Sequence, residues 1–285
     1  MTIGVTGATG ALGGRTARLL AASGHPLRLL VRDAGRAPEL PGASVATVTY
    51  GDATAVEALR GIETLFMVSA AEAEERLAQH RAFVDAAADA GVRSIVYTSF
   101  IGASATSGFT LGRDHGATED AIRQSGVSPT FLRDNFYAEV WPDFADEQGV
   151  IRGPAGEGRA AVVSRRDVAD VAALVLTERA ETPERHAGAT YDLTGPEALT
   201  LSEIAEVLTA VTGRPHRFED ETVEQARASR ASFGAPEWQL QAWISTYTAI
   251  RDGEFQAVSA DVPRLLGRPA TTFAAAVTTA VTGGG

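Results

Sequence analysis

The sequence contains no cysteine and no lysine. Without cysteine the chain forms neither disulfides nor thiolate metal sites, and it has no thiol nucleophile. All 25 basic residues are arginine, so no lysine can act as a proton relay or form a Schiff base. We expect no metal site, because the histidines are scattered and no two have the i, i+4 spacing of a helical zinc pair. They are His25, His80, His115, His186 and His216.

The chain also lacks an excess of positive charge. Its formal net charge is −11 and its pI is about 5.0, which opposes nucleic-acid binding because that usually needs a basic face. No apolar run approaches the roughly twenty residues that span a bilayer, and the N-terminus enters the first predicted strand without a signal-like leader. We therefore expect a cytoplasmic protein that binds a small molecule, neither nucleic acid nor membrane, and we leave a homodimer open.

A glycine-rich loop follows the first predicted strand, residues 3–5, and precedes a predicted helix. Such a loop turns sharply and brings backbone N–H groups against a pyrophosphate at the positive end of the helix. A second apolar strand at 27–31 follows at the distance typical of a βαβ unit. The alternative is a simple strand-to-helix turn. We predict a dinucleotide site formed by Gly7, Ala8, Thr9, Gly10, Ala11, Leu12 and Gly13.

Strand and helix signals alternate through the first half of the chain. This alternation is typical of an α/β fold, a Rossmann-like doubly wound parallel sheet with helices on both faces. Residues 100–113 and 149–158 are rich in glycine and are predicted to be loops or turns. The other predicted elements are strands at 45–50, 64–68, 94–99 and 130–133 and helices at 53–60, 73–90 and 114–124.

Beyond the sixth strand the pattern becomes mostly helical. A helix at 167–177 and a strand at 190–193 are predicted to return to the sheet. We predict a dinucleotide-binding core at 1–135, completed by about 160–195, and a smaller, mostly helical substrate lobe at 136–159 and 196–282. Gly283–Gly285 are predicted to be disordered. The helices assigned to the lobe are 201–211, 223–229, 238–250 and 272–281.

The end of the second strand decides between the two nicotinamide dinucleotides. Arg32 could pair with the 2′-phosphate of NADP, whereas Asp33 could bind the 2′-hydroxyl of NAD or cap the next turn. Arg32 comes first and Arg36 could reinforce it. We therefore predict that the cofactor is NADPH.

Two further strand ends carry candidate cofactor contacts. Asp52, after the third strand, could reach the adenine amino group or close a turn. Ser69 and Ala70 follow the fourth strand and are predicted to lie over the dinucleotide, since ligands of these sheets gather at the carboxyl ends of the strands.

Several motifs occur together: the glycine loop, Val31-Arg32-Asp33, Tyr97-Thr98-Ser99, His115-x-x-x-Glu119 and Leu132-Arg133-Asp134-Asn135-Phe136-Tyr137. With this set the chain resembles the atypical short-chain dehydrogenases and, among them, the NmrA-like family, in particular its NADPH-dependent quinone oxidoreductases. The resemblance covers nearly the whole chain. Because many relatives share the glycine loop, the resemblance carries the fold further than the substrate.

The resemblance also restricts the reaction. The usual catalytic pair of that superfamily is Tyr-x-x-x-Lys, and the matching positions here are His115 and Glu119. An ordinary ketone would need a strong, positioned proton donor, whereas hydride addition to a quinone gives a phenolate whose conjugate acid has a pKa of about 10. The missing lysine favours an easily reduced acceptor. His115 could still donate a proton, or with Asp114 it could merely start a helix.

The remaining candidate residues also come from the resemblance. Ser99 stands where relatives carry a catalytic or cofactor-facing serine, beside Thr98, and a structural hydrogen bond is the alternative. Asn135, the sole asparagine of the chain, is expected beside the nicotinamide, where the family often has a small residue. The candidate catalytic residues are thus His115, Asn135 and Tyr137. An aromatic wall for a flat substrate, with core packing as its alternative, is predicted from Phe136, Tyr137 and Trp141.

The function predicted from these features is hydride transfer from NADPH to a quinone or a similar conjugated acceptor. Two alternatives stay open. One is an NmrA-like regulator that binds NADP and senses redox state without catalysis. The other is a reductase or isomerase of specialised metabolism.

Overall fold

A computed structural model describes residues 1–282, so the predicted disorder of Gly283–Gly285 lies outside the described residues. The chain divides into two compact units, each assembled from several segments. The first unit comprises Met1–Ser99, Asp114–Arg133 and Val168–Tyr191. The second comprises Phe100–Arg113, Asp134–Asp167 and the chain from Asp192 onward.

Strands and helices alternate as far as residue 134. The strands are β1 (Ile3–Thr6), β2 (Leu27–Val31), β3 (Ala43–Thr47), β4 (Thr64–Met67), β5 (Ser94–Phe100), β6 (Ser128–Asp134), β7 (Val150–Gly153), β8 (Arg159–Ala160), β9 (Thr190–Leu193), β10 (Leu199–Thr200) and β11 (Arg217–Asp220). The helices are α1 (Ala11–Ala22), α2 (Ala55–Leu59), α3 (Arg76–Asp89), α4 (Thr110–Gln124), α5 (Arg165–Glu181), α6 (Leu201–Thr212), α7 (Val223–Arg230), α8 (Glu237–Arg251), α9 (Asp261–Leu266) and α10 (Phe273–Thr282). Within residues 1–282, none of them combines the length and apolar character needed to cross a bilayer.

Seven strands form one sheet in the order β3-β2-β1-β4-β5-β6-β9. β1 pairs in parallel with β2 on one side and with β4 on the other. The strand order therefore reverses beside β1, and in doubly wound sheets the crevice at such a reversal binds the ligand. The predicted Rossmann-like fold is confirmed.

The first unit has its own apolar core beneath the sheet. Phe83, Val84 and Ala87, whose spacing predicts one buried face of α3, are fully buried together with Leu65 of β4 and Ile95 of β5. Burial of such side chains is the main favourable term in folding. This packing fixes α3 against the sheet, and with it the polar side chains on the first turns of α3.

The second unit combines helices with two small sheets. β8 pairs antiparallel with β10, and β7 pairs in parallel with β11. α6 begins with a capping box in which Thr200 Oγ1 accepts from Glu203 N and the Glu203 carboxylate accepts from Thr200 N. It ends at Gly213 in the left-handed conformation, φ +70°.

Several predicted element boundaries are wrong, among them the following three. The turn predicted at 149–158 contains β7, because its partner β11 lies more than sixty residues further along the chain. The loop predicted at 100–113 ends earlier, since α4 begins at Thr110, whose backbone N–H donates to Ser245 Oγ at 3.1 Å. The third strand, predicted at 45–50, occupies Ala43–Thr47.

Candidate functional site

The glycine loop links the carboxyl end of β1 to the first turn of α1. Gly7 has a φ of +63°, which favours glycine, and the Gly10 backbone N–H donates to Gly7 O at 2.9 Å. A Cβ on Gly13 would lie 2.5 Å from Gly7 O and 2.7 Å from Thr6 O. The tight approach of α1 to β1 therefore requires glycine at Gly13.

The surface of this loop fits a phosphate group. Gly7, Thr9, Gly10 and Ala11 are exposed, whereas Ala8, Leu12 and Gly13 are buried against the fold. Gly10 is the N-cap of α1 and has no side chain to occupy the N–H groups of the first turn. A helix N-terminus with accessible N–H groups attracts anions. The loop as folded can hold a pyrophosphate against bare backbone.

The end of β2 presents arginine to solvent. Arg32 is exposed, and its guanidinium forms no ion pair within the described residues. Asp33 has a local role, because its Oδ1 accepts from Gly35 N at 2.9 Å and caps the short 3-10 turn Ala34–Arg36. Arg36 of that turn is also exposed. Arg32 is thus available to an anion at this strand end, whereas one oxygen of Asp33 is already engaged in a cap.

Asp52 is exposed and closes the turn that precedes α2. Its Oδ1 accepts from Thr54 N at 2.9 Å, and this hydrogen bond lowers the pKa of the carboxyl. The carboxylate can still accept further hydrogen bonds, since one bond does not saturate its two oxygens. Contact between Asp52 and an adenine stays a prediction.

The residues after β4 are held by side chains from several elements. Ser69 N donates to Thr98 Oγ1 at 2.8 Å, and Ala70 N donates to His80 Nε2 at 2.9 Å. Thr98 is buried in β5, so its hydroxyl supports Ser69 from beneath. The structure thus joins two predicted cofactor residues, Ser69 and Thr98, in one hydrogen bond.

His115 lies inside α4 and does not start that helix, so the alternative of a helix start is wrong. Its ring is 6% exposed, with Nε2 3.0 Å from Arg76 Nη2 and Nδ1 3.0 Å from Tyr97 Oη. Burial, with the charge of Arg76 second, holds the pKa of His115 well below its ordinary value. The imidazole is therefore neutral near pH 7. This geometry favours a structural role, and proton donation by His115 stays a prediction.

Glu119, which the resemblance matches to the superfamily's lysine, is 1% exposed. Its Oε1 accepts from Ser99 Oγ at 2.6 Å and from Arg133 Nε at 2.8 Å. Its Oε2 accepts from Arg133 Nη2 at 2.7 Å and from Arg123 Nη2 at 2.8 Å. Two guanidinium groups thus compensate the buried carboxylate. Ser99 has the structural hydrogen bond named as its alternative, and its contact with a cofactor stays a prediction.

Asn135 belongs to the second unit and is 1% exposed. Its Nδ2 donates to Phe255 O at 3.0 Å, and its Oδ1 accepts from Phe136 N at 2.8 Å. These backbone partners fix the orientation of the amide. Both ends of the side chain are engaged in the fold, and a contact from Asn135 to carboxamide or substrate stays a prediction.

Tyr137 is half-buried and donates from its hydroxyl to Asp134 Oδ2. The guanidinium of Arg165 lies 5.2 Å from the centre of the Tyr137 ring. Burial raises the pKa of Asp134 to about 8, although the Tyr137 hydrogen bond lowers it. Burial and the neighbouring Asp134 also raise the pKa of Tyr137 well above its ordinary value. Both shifts favour the protonated, neutral forms of the two side chains.

The predicted aromatic wall is only partly available. Trp141 is fully buried in the apolar cluster of the second unit, so core packing is correct for this residue. Phe136 packs edge-on against Phe100 and Phe255, with ring centres 4.9 and 5.2 Å apart. Tyr137 is the member whose polar edge takes part in a hydrogen-bonded pair.

The family model that describes the NmrA-like family matches residues 1–234. The chain belongs to the NmrA-like family. The NAD(P)H azoreductase of Xenophilus azovorans is 34% identical to it over 277 residues, which cover 95% of this chain and 94% of the azoreductase. The resemblance predicted from the motifs is confirmed.

Two similar proteins have been solved in complex with the cofactor. One is the NADPH-dependent quinone oxidoreductase of Escherichia coli complexed with NADPH, with 33% identity, a TM-score of 0.86 and coverage of 97% of this chain and 98% of that chain. The other is the triphenylmethane reductase of Citrobacter complexed with NADP(H), with 32% identity, a TM-score of 0.83 and coverage of 98% and 99%.

Sequence reasoning missed Arg76, Arg133 and His80 as parts of this region. Arg76 and His80 lie in the first two turns of α3. A charged side chain at a helix start is ordinarily exposed, and yet both side chains are buried here. Arg133 was part of a family motif without an assigned partner, which is now Glu119. The available signal was the four-residue spacing of Arg76 and His80, which places them on one face of α3.

Proposed function

We propose that this chain is an NADPH-dependent oxidoreductase that transfers a hydride to a quinone or a similarly conjugated acceptor. The observation that carries the proposal is the glycine loop, whose geometry fits a pyrophosphate. Support also comes from the azoreductase, quinone oxidoreductase and triphenylmethane reductase relatives, which match nearly full length. Each of these relatives reduces, by its name, a conjugated acceptor.

The first unit would hold the cofactor. The loop from Gly7 to Gly13 would receive the pyrophosphate at the N-terminus of α1. Arg32, with Arg36, would bind the 2′-phosphate, since an exposed guanidinium pairs with phosphate through two parallel hydrogen bonds. Ser69 and Ala70 would line the dinucleotide beyond the end of β4. When bound, NADPH supplies the hydride.

The chain's own residues suit an acceptor that needs little proton assistance. Glu119 stands in place of lysine and is fully engaged by Ser99, Arg123 and Arg133. The quinone product is a phenolate whose conjugate acid has a pKa of about 10, so solvent or a weak donor can complete the reaction. Catalysis then rests mainly on positioning. Catalytic roles for His115, Asn135 and Tyr137 remain predictions.

The expected partner is a small, flat, conjugated molecule, and the substrate lobe at 136–159 and 196–282 remains a prediction. Of the predicted aromatic wall, Phe136 and Tyr137 are only half-buried and could contact such a molecule. A cytoplasmic location and a homodimer remain predictions. Light scattering of the purified protein tests the second.

The test is oxidation of NADPH by the purified protein with a panel of simple quinones and one azo dye. We expect turnover with NADPH at least about tenfold more efficient than with NADH, and loss of that preference in Arg32→Ala, because a charge-assisted phosphate contact is removed. Arg93→Ala is the matched control, since Arg93 is exposed just before the amino end of β5. Cofactor binding without turnover on any acceptor would contradict the proposal and favour a redox-sensing regulator.

A further inference from the structure

The segment Val68–Ala70 leaves the sheet at the end of β4, and side chains form hydrogen bonds with several of its backbone groups. Val68 N donates to Thr6 Oγ1 at 2.8 Å, and Val68 O accepts from Tyr50 Oη at 2.7 Å. Ser69 N donates to Thr98 Oγ1 at 2.8 Å. Strand exits usually run into mobile loops whose backbone groups bind water. Here side chains form these hydrogen bonds instead.

Ala70 is bound at both of its backbone polar groups by side chains of α3. Its N–H donates to His80 Nε2 at 2.9 Å, and its carbonyl accepts from Arg76 Nε at 3.0 Å. Arg76 is 3% exposed and His80 is fully buried. Two buried polar side chains, one of them charged, thus converge on a single alanine.

The same two side chains are themselves anchored to α4. Arg76 Nη2 lies 3.0 Å from His115 Nε2, and Arg76 Nη1 lies 3.4 Å from Asp114 Oδ2. His80 Nδ1 lies 3.0 Å from Thr118 Oγ1. One guanidinium therefore joins the strand exit to α4, which a planar fork of five donors can do and a lysine ammonium cannot do in the same geometry.

The hydrogen-bond partners fix the tautomer of both histidines. His80 Nε2 accepts from Ala70 N–H, so the ring proton is on Nδ1 and is donated to Thr118 Oγ1, whose own proton goes to Asp114 O at 2.7 Å. His115 Nε2 faces a donor on Arg76, so its proton is on Nδ1. Ala70 N–H, His80, Thr118 and Asp114 O therefore form a chain of hydrogen bonds in which every donor and acceptor is assigned. Such a chain is expected of a preorganised site.

Burial of a guanidinium is costly and needs a compensating gain. Arg76 is compensated by its bonds to Ala70 O, Asp114 and His115. What the arginine supplies is a fixed path for residues predicted to contact the cofactor. A preformed segment spares the ligand the cost of ordering it.

We propose that Arg76 and His80 are positioning residues that hold Ser69 and Ala70 in the shape that receives NADPH. The inference rests on the proposed function, because it takes NADPH as the ligand of the first unit. Neither residue is assigned a contact with the cofactor. They act through the backbone of Ala70.

The test compares NADPH binding with stability in matched variants. Arg76→Met and His80→Phe remove the contacts to Ala70, whereas Arg76→Lys and His80→Gln can keep one each. Arg179→Met is the control, since Arg179 is also buried and binds Ser128 Oγ and Thr130 Oγ1 at the amino end of β6. The readouts are the Kd for NADPH from calorimetry, the Tm, and kcat and KM with a quinone.

We expect Arg76→Met and His80→Phe to raise the Kd and the KM for NADPH by about tenfold or more, with kcat at saturating NADPH changed less than about twofold. Arg76→Lys and His80→Gln should recover part of the affinity. Arg179→Met should lower the Tm to a similar extent as Arg76→Met and leave the Kd for NADPH unchanged. Amide exchange at Ala70 should accelerate in His80→Phe and slow again when NADPH is added.

An unchanged Kd in His80→Phe and Arg76→Met would overturn the inference, and so would an equal rise in Arg179→Met. If Arg76→Met does not fold, the His80→Phe and His80→Gln pair decides by the same criterion. Wild-type protein that binds NADPH but reduces no acceptor contradicts the proposed function and leaves this inference supported if the affinities differ as expected. Wild-type protein that does not bind NADPH overturns both.

Discussion

The guanidinium of Arg133 binds the carboxylate of Glu119 through two parallel hydrogen bonds, 2.8 Å from Nε to Oε1 and 2.7 Å from Nη2 to Oε2. This pair connects β6 to α4 in the first unit. The resemblance to the short-chain dehydrogenases matches Glu119 to the position of their catalytic lysine. In this structure Glu119 forms a buried ion pair that ties two elements together.

A lysine at position 119 should lower the stability of the fold. In Glu119→Lys an ammonium replaces the carboxylate between Arg133 and Arg123, and Ser99 loses its acceptor. We expect a loss of about 3–5 kcal/mol in the free energy of unfolding, as for other broken buried pairs. Glu119→Gln keeps an acceptor for Ser99 and should lose less. Denaturant titration measures both, and a Glu119→Lys variant as stable as the wild type would contradict the assignment.

Two glycines of the loop should separate folding from binding. A Cβ at Gly13 would meet backbone at 2.5 Å, whereas one at Gly10 would lie 3.4 Å from Gly7 O. Gly13→Ala should lower the Tm and the NADPH affinity together, because the start of α1 must move away from β1. Gly10→Ala should keep the Tm within a few degrees and weaken NADPH binding alone. Thermal unfolding with and without NADPH measures both effects, and equal loss of Tm in the two variants would contradict this interpretation.

The sequence predicted what depends on local geometry. The glycine loop could be located because its turn, its approach to β1 and the helix start are decided within seven residues. The cap formed by Asp33 and the turn closed by Asp52 were named as alternatives for the same reason, since each acceptor lies two residues from its donor.

What depends on distant partners could not be predicted. Arg76 has partners 6, 38 and 39 residues away, at Ala70, Asp114 and His115, and an arginine at a helix start is ordinarily solvated. Asn135 appeared available for a ligand, but its amide is bound by Phe136 and by Phe255, which lies 120 residues further on. β7 formed within a glycine-rich stretch for the same kind of reason, because β11 supplies its hydrogen bonds.

Acid should destabilise the protein through His80. Burial, and then the charge of Arg76, lower the pKa of His80 to about 3 in the folded state, against about 6.5 in the unfolded chain. Between about pH 3 and about pH 6.5, His80 is protonated in the unfolded chain and neutral in the folded chain. Stability is therefore lost as the pH falls below 6.5, by about 1.4 kcal/mol per pH unit for one histidine.

His80→Gln should flatten this dependence by about that slope between pH 6 and pH 4. The buried His115 acts in the same direction and remains in the variant, so part of the slope should persist. Urea titrations across that pH range provide the measurement. Identical slopes in variant and wild type would show that His80 is not held neutral.

A rise in pH from 4 to 8 should destabilise the protein through Asp134. Burial raises the pKa of its carboxyl to about 8, so between pH 4 and pH 8 the folded chain keeps a proton that the unfolded chain releases. The stabilising contribution is complete below pH 4 and declines as the pH rises to 8.

Asp134→Asn retains an acceptor for the Tyr137 hydroxyl and cannot ionise. Relative to the wild type its free energy of unfolding should therefore increase by about a few kcal/mol from pH 4 to pH 8. Tyr137→Phe is the matched control, because it removes the hydrogen bond and leaves the carboxyl, so the decline should persist in it. A constant difference between Asp134→Asn and wild type across this range would mean that Asp134 is ionised in the folded protein.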